Sequence, residues 1–167
     1  MVVYLTAPMA GRTLTDSSSR SQDVVLRLLF VTLGVIQVLV AIGAVVSGTM
    51  LIMYPSGELL HAPLEMLKGS PFTNFLLPGI ILFLVNGVGQ LIAGVITFRR
   101  HPQTALIGAI FGIGLMIWIF VQVSMIGGGH LLQYIYFFIG VIETSLAFLI
   151  ENAGARGRKG ITTSSGS

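Results

Sequence analysis

Long apolar runs alternate with shorter polar connections along most of the chain. A helix needs roughly 20 predominantly apolar residues to cross a bilayer, and four runs reach that length. They cover approximately residues 24–53, 74–98, 103–126 and 130–150. The pattern predicts an all-α polytopic membrane protein, folded as a four-transmembrane-helix bundle within residues 24–151. The first run is longer than a bilayer requires, so we expect it to tilt or to project past the membrane.

Polar segments flank this region on both sides. Residues 1–23 lack the early basic patch and the apolar core of a cleavable signal, so we interpret them as a disordered tail. Residues 152–167 form a second tail that is predicted to be disordered and basic. Contact with anionic lipid is one interpretation of this basic tail, and a simple topology signal is the plainer one.

Composition supports the membrane assignment. The 167 residues are 54% hydrophobic and 9% charged, with a mean hydropathy of +0.92. Soluble domains carry about 25% charged residues, so this chain has too few to cover a water-facing surface. It contains no cysteine, which excludes disulfides, thiolate metal sites and cysteine nucleophiles.

The distribution of Lys and Arg predicts the orientation, because basic residues concentrate in cytoplasmic loops. All but one of the nine basic residues fall on one side of the predicted membrane. These are Arg12, Arg20, Arg27, Arg99, Arg100, Arg156, Arg158 and Lys159, and Lys68 is the exception. We therefore predict a multi-pass protein of the cell membrane with the N-terminus and the C-terminus in the cytoplasm.

The one long connection, residues 54–73, is predicted on the outer side. Pro63 suits the start of a short helix, Gly69 its end, and Pro71 stops it. This segment either lies flat at the interface, caps the bundle or forms a lid over a ligand cavity. His61 and His130 share the outer side, but two histidines are too few for a metal site, and we expect none.

Polar residues recur at similar depths in the four runs, on the same helical faces as small residues. Gln37 shares a face with Gly34, Ala41 and Ala44, and Asn86 shares one with Gln90, Ala93 and Thr97. Small and polar faces are where membrane helices pack against each other. We predict a compact bundle with a partly polar interior, and dimerisation through one of these faces is the alternative.

Glu143 lies in the middle of the fourth run. A charged acidic residue at the bilayer centre costs roughly 2.5–3.5 kcal/mol, so burial favours the protonated carboxyl. We expect it to hydrogen-bond Gln37, Asn86 or Gln90. It is either a neutral structural link between helices or a group that exchanges protons or binds substrate.

Trp118, Gln122 and Tyr136 are further candidates for a ligand site, although a buried Trp and an interfacial Tyr are also common in membrane helices. The chain has no phosphate-binding loop, no zinc-protease motif and no nucleophile elbow. We therefore predict no catalytic residues, no cofactor and no nucleic-acid partner.

Several segments carry a family resemblance. They are "PSGELL", "GSPFTNFLLPGIILFLVNGVGQLIAG", "FRRHP", "WIFVQ" and "YFFIGVIE". From about residue 54 to 150 the chain resembles uncharacterised bacterial four-span integral membrane proteins. The layout of four spans with a long outer loop after the first also looks like the DoxX-like group. That resemblance implies a link to quinone-dependent membrane oxidoreductases.

The sequence favours a non-enzymatic role over an enzyme. The predicted function is that of a small accessory or ligand-binding subunit, with a polar site around Glu143, Gln37, Asn86 and Gln90. The bilayer is its predicted partner, together with a second copy or a larger membrane complex. The alternatives are a dimeric proton-coupled transporter of small solutes, and a membrane subunit of a quinone-linked oxidoreductase with Trp118, Gln122 and Tyr136 near the head group.

Overall fold

Four long helices make up most of the described part of the chain. The computed structural model describes the backbone of residues 10–126 and 129–164, and the side chains of residues 20–125 and 129–155. The helices are α1 (Ala10–Met53), α2 (Leu76–Phe98), α3 (Thr104–Ile126) and α4 (Leu131–Ser164). The described residues contain no strand.

All four helices are long and apolar enough to cross a membrane. Their candidate spans are Arg20–Met53, Leu76–Phe98, Thr104–Met125 and Leu131–Ala155. Many of their large apolar side chains face outward, among them Leu39, Phe120 and Phe138, each more than 60% exposed. Water-soluble proteins rarely expose such extensive apolar surface. The prediction of an all-helical protein with four possible spans is confirmed.

The helices extend beyond the predicted spans at both ends of the chain. α1 begins at Ala10 and α4 continues to Ser164, so both enter the segments predicted to be disordered tails. No proline interrupts residues 10–53 or 131–164, and a nucleated helix adds further turns at little cost. Residues 1–9 and 165–167 of the predicted tails lie outside the described residues. So do the side chains of Arg12, Arg156, Arg158 and Lys159.

The helices associate as two hairpins. α1 packs most extensively on α2, and α3 on α4, whereas contact between the two pairs is narrower. Within each hairpin the two helices lie close together, because small residues let their backbones approach. A methyl group on Gly112 of α3 would lie 2.9 Å from the Gly140 carbonyl oxygen of α4. We call the narrower contact between the two hairpins the seam.

The middle of α2 is wound as a π-helix, over Leu82–Gly89. Regular α-helix precedes it at Leu76–Ile81 and follows it at Gln90–Phe98. π-helical turns are rare and are frequently found at functional sites. This segment was not predicted, because its glycines, Gly87 and Gly89, are also common in regular membrane helices.

The turn between α2 and α3 defines one end of the bundle, which we call the arginine end. The amide of Arg100 donates to Thr97 O at 2.9 Å, and the amide of His101 donates to Ile96 O at 3.3 Å. This is the Schellman pattern of helix termination, with Arg100 at the left-handed position (φ 50°) that glycine usually takes. Arg99, Arg100 and His101 are all exposed there.

The connection between α1 and α2 covers the opposite end, which we call the connection end. It contains two 3₁₀ turns, Glu58–Leu60 and Leu64–Leu67. The predicted short helix after Pro63 is thus a single 3₁₀ turn. Leu67 is buried against Leu51 and Phe75, so the connection packs over the ends of the helices.

The close contact of α3 with α4 gives a test of this packing. We expect Gly112→Ala to lower the free energy of unfolding by about 1–3 kcal/mol, because the new methyl group forces the two backbones apart. Its Cβ would lie 2.5 Å from Thr144 Oγ1. Equilibrium unfolding in mixed micelles measures the change.

Gly114→Ala is the matched control, because a Cβ at Gly114 meets nothing within 4 Å. It should be neutral or stabilise the protein by up to about 1 kcal/mol through helix propensity. Equal losses for the two variants would contradict the packing described here.

Candidate functional site

Most of the buried polar side chains lie along one line inside the bundle. Among the described residues, the buried polar or charged side chains are Gln37, Asn86, Gln90, Thr97, Thr104 and Glu143. Four of them, Gln37, Gln90, Thr97 and Glu143, are 0% exposed. Burial of this kind is costly unless each group finds a hydrogen-bond partner.

Glu143 and Gln90 are joined across the seam. The side-chain amide of Gln90 in α2 donates from Nε2 to Oε2 of Glu143 in α4, at 2.9 Å. Glu143 lies where α4 packs tightly on α3, since Thr144 and Gly140 contact Gly112. Gln90 follows directly on the π-helical segment of α2. The bond therefore connects one hairpin to the other.

Gln37 is held within the first hairpin. The hydroxyl of Thr97 donates to Gln37 Oε1 at 2.8 Å, close to the arginine end of α2. Its position differs from the predicted midplane site because α1 extends well past α2 at this end. A residue in the middle of the α1 sequence therefore lies beside the last turn of α2.

The polar groups form a sequence of steps from the middle of the bundle toward the arginine end. Asn86 comes first, then Gln90 with Glu143 one turn further, and then Gln37 with Thr97. Asn86 and Gln90 are about one turn apart along α2, whereas Thr97 lies seven residues, or roughly 10 Å, beyond Gln90. We call this set the polar column.

Three atoms of the polar column have no hydrogen-bond partner. They are Gln37 Nε2, Gln90 Oε1 and Glu143 Oε1, all buried. An unsatisfied buried polar atom costs about 1–3 kcal/mol, so each needs a further explanation. No Lys, Arg or His is among the buried side chains of the described residues, so no cation faces Glu143 there.

A separate cavity of about 480 Å³ lies between the helices toward the connection end. α1 contributes Val40, Gly43 and Ala44, α3 contributes Leu115 and Trp118, and the connection contributes Met66 and Leu67. Its α2 wall includes Ile81, Leu82 and Asn86, at the start of the π-helical segment and within it. Leu132, at 63% exposed, marks where the cavity reaches the surface.

The cavity wall is mostly apolar but carries several hydrogen-bonding groups. Trp118, Gln122, Tyr136, Gln133, Ser47 and Asn86 all line it. The indole nitrogen of Trp118 is buried and has no partner. A methyl group on Gly43 would lie 2.7 Å from the Tyr136 hydroxyl oxygen, so this hydroxyl lies against the α1 backbone. Such a wall can hold an apolar molecule that carries a polar group.

The structure divides the predicted site residues between these two places. Glu143, Gln90 and Gln37 belong to the polar column, whereas Trp118, Gln122 and Tyr136 line the cavity. Asn86 borders the cavity and lies one turn from Gln90. Glu143 bonds Gln90 as expected, but the bond of Gln37 goes to Thr97. Thr97 was not among the predicted site residues, although it shares a helical face with Gln90.

No group of three or more potential metal ligands comes together in the described part of the chain. His130 is exposed and donates its backbone amide to Gln133 Oε1 at 2.8 Å.

No protein-family model, no curated protein and no solved structure matches the chain significantly. The resemblance to four-span and DoxX-like membrane proteins stays a prediction.

The bond between Gln90 and Glu143 can be measured with a double-mutant cycle. We expect Gln90→Leu and Glu143→Leu each to lower the free energy of unfolding by about 1–3 kcal/mol, because each leaves a buried partner unsatisfied. The double variant should lose less than the sum of the two. A coupling energy of roughly 0.6–1.7 kcal/mol is typical of such bonds in membranes.

Equilibrium unfolding of the four proteins in mixed micelles provides the measurement. Ser145→Leu is the control on the exposed face of α4, where the hydroxyl bonds only its own helix, to Val141 O. Strictly additive losses at Gln90 and Glu143 would show that the two side chains do not interact.

Proposed function

We propose that the protein is a membrane-embedded binding protein for a small lipid-soluble molecule with a polar head group. The cavity of about 480 Å³ at the connection end is the observation that carries the proposal. Small-molecule sites in proteins span roughly 300–1,000 Å³ and combine an apolar wall with a few placed polar groups. This cavity has both properties.

The polar groups of the cavity suit a head group that accepts hydrogen bonds. Trp118 Nε1 can only donate, and it is buried without a partner. The Tyr136 hydroxyl and the amides of Gln122 and Asn86 add further donors. A carbonyl, ester or hydroxyl head would therefore find partners, and its apolar part would contact residues such as Val40, Leu115 and Leu67.

A binding role fits these residues better than transport does. Glu143, the acidic residue that a proton-coupled carrier would use, does not line the cavity. Binding by an accessory subunit does not require two alternating gates.

A quinone is one class of molecule that meets the description of the occupant. It combines an apolar tail with carbonyl oxygens, and Trp118, Gln122 and Tyr136 line the same cavity. This arrangement favours a membrane subunit of a quinone-linked oxidoreductase as the second candidate function.

We also propose that the protein lies in the cell membrane with both termini in the cytoplasm. The exposed Arg20, Arg27, Arg99 and Arg100 all lie toward the arginine end. Lys68 lies at the connection end. By the positive-inside rule the arginine end faces the cytoplasm, and the cavity then belongs to the outer half of the membrane.

Trp118 is the single tryptophan of the chain, so its fluorescence reports on the cavity. In lipid vesicles we expect a short-chain ubiquinone or a monoacylglycerol to change this fluorescence saturably. Ala44→Phe should weaken the saturable response at least about tenfold, which corresponds to 1.4 kcal/mol, because the ring occupies the cavity. Fluorescence titration of the purified protein measures the effect.

Ile42→Phe adds the same ring on an outward face of α1, at 55% exposure. It should bind like the wild type and so correct for non-specific partitioning of the probes into lipid. A wild type that shows only a linear, non-saturable response to both probes would exclude the proposed binding role. A response to the ubiquinone alone would favour the second candidate.

The orientation can be tested by cysteine labelling, because the chain has no native cysteine. Glu65→Cys lies on the exposed connection and Gln103→Cys lies on the exposed turn of the arginine end. A membrane-impermeant thiol reagent should label Glu65→Cys in intact cells, and Gln103→Cys only after the cells are opened. The reverse pattern would invert the proposed topology.

A further inference from the structure

The unsatisfied oxygens of Glu143 and Gln90 belong to a pair that is already joined. Gln90 Nε2 donates to Glu143 Oε2, while Gln90 Oε1 and Glu143 Oε1 are buried without partners. Two unprotonated oxygens can only accept hydrogen bonds, so neither can satisfy the other. The amide oxygen cannot become a donor, but a carboxyl oxygen can if it takes up one proton.

We propose that Glu143 and Gln90 form a proton-binding site that exchanges its proton from the cavity side. Glu143 takes one proton from water onto Oε1 and donates it in a hydrogen bond to Gln90 Oε1. Both unsatisfied oxygens then gain a partner, and the acid and the amide share two parallel hydrogen bonds. The reverse step returns the proton to water. Glu143 is then a carboxylate that accepts one hydrogen bond, from Gln90 Nε2.

The surroundings of Glu143 favour the protonated acid. α2 presents Gln90, α1 carries Gln37 at the next step of the polar column, and Gly112 of α3 contacts Gly140 and Thr144 beside Glu143. None of these groups is ionisable. In the described chain the other ionisable residues are outside the buried set. The nearest on α4 are Tyr136, a half-buried phenol that lines the cavity, and Glu151, which is exposed. A carboxylate would therefore have no cation beside it, and desolvation disfavours it.

The two sides of the pair differ in their access to water. Toward the connection end, Asn86 lines the cavity and lies one turn from Gln90. Toward the arginine end, the buried side chains of Leu33, Ala105 and Ile150 pack together as an apolar cluster. Water can thus approach within about one turn from the cavity. On the other side Gln37 and Thr97 come next, and the apolar cluster lies beyond them.

The π-helical segment connects the cavity wall to the pair. Leu82 and Asn86 belong to it and line the cavity, and Gln90 follows its last residue. π-helical turns are rare and occur mostly as short bulges inside α-helices. A small change there moves Gln90 and gives water a way to Glu143.

Infrared difference spectroscopy tests the proton site on the full chain in lipid vesicles at neutral pH. We expect the spectrum to contain the carbonyl band of a protonated carboxylic acid, and Glu143→Gln to abolish it. Glu143→Gln keeps one donor and one acceptor toward Gln90, so it should fold. Glu151→Gln, on the exposed face of the same helix, is the control and should leave the band in place.

Gln90→Leu is a second, independent variant. It removes the donor to the acid carbonyl, so the band should move to higher frequency while its intensity is kept. A wild-type spectrum without a protonated-acid band, or a band that survives Glu143→Gln, would overturn the proposal. Neither result depends on a ligand, so the proposed binding function is tested separately.

Exchange into D₂O tests the route. We expect Ala44→Phe, which fills the cavity, to slow the deuterium shift of the acid band at least severalfold, and Ile42→Phe to leave its rate unchanged. Equal exchange rates in the two variants would overturn the cavity-side route. The test uses the cavity as a space for water, so it does not require that a lipid-soluble ligand binds.

Discussion

The hydrogen bond between Gln90 and Glu143 joins two helical hairpins that otherwise meet through a narrower contact. A bilayer has no water with which a buried amide or carboxyl can bond. In a membrane each of these side chains would have to find its partner inside the protein, and this favours the arrangement of the hairpins in which the two side chains meet. Apolar contacts also cross the seam, as between Val40 and Leu115, but these resemble the contacts that lipid tails offer. Specific alignment of the hairpins thus depends on polar pairing.

The cavity follows from the same architecture. Gly43, Ala44 and Ser47 give α1 little side-chain volume toward the seam at the connection end. Similar small residues on α3 and α4, such as Gly112 and Gly140, are used instead to bring backbones together. At the connection end α3 and α4 do not approach α1 as closely, so the small side chains of α1 leave the cavity open between the helices. The connection covers this space with Met66 and Leu67 instead of filling it.

The sequence is sufficient to predict the number of helices, because a span of lipid requires a long apolar run. It also predicts that Glu143 pairs with an amide, since no cation occurs at its depth and Gln90 lies at a similar depth in α2. It does not predict the partner of Gln37. A residue in the middle of an apolar run lies in the middle of the bundle only when the packed helices are equally long. α1 is much longer than α2, so Gln37 does not lie at the middle. Gln37 therefore accepts its hydrogen bond from Thr97, and not from Glu143 as expected.

The cavity and the π-helical segment lie beyond sequence reasoning for a related reason. The cavity depends on how far α1 and α2 stay apart from α3 and α4, and the π-helical segment lies in its wall. This separation is a property of the assembled hairpins. Trp118, Gln122 and Tyr136 are recognisable as amphipathic residues near one interface, but ordinary interfacial residues have the same pattern. Their convergence on one space is visible only in three dimensions.

The seam is where the proposed binding site and the proposed proton site meet. Tightly packed pairs such as α3 with α4 resist change, because any separation exposes backbone that was in close contact. The seam has less contact to lose, and its α2 side is π-helical. A molecule bound in the cavity would touch Leu82 and Asn86, which belong to the segment that ends beside Gln90. Occupancy of the cavity and protonation of Glu143 would in this way both act at the seam, and by linkage each would alter the free energy of the other if α2 changes its winding between them.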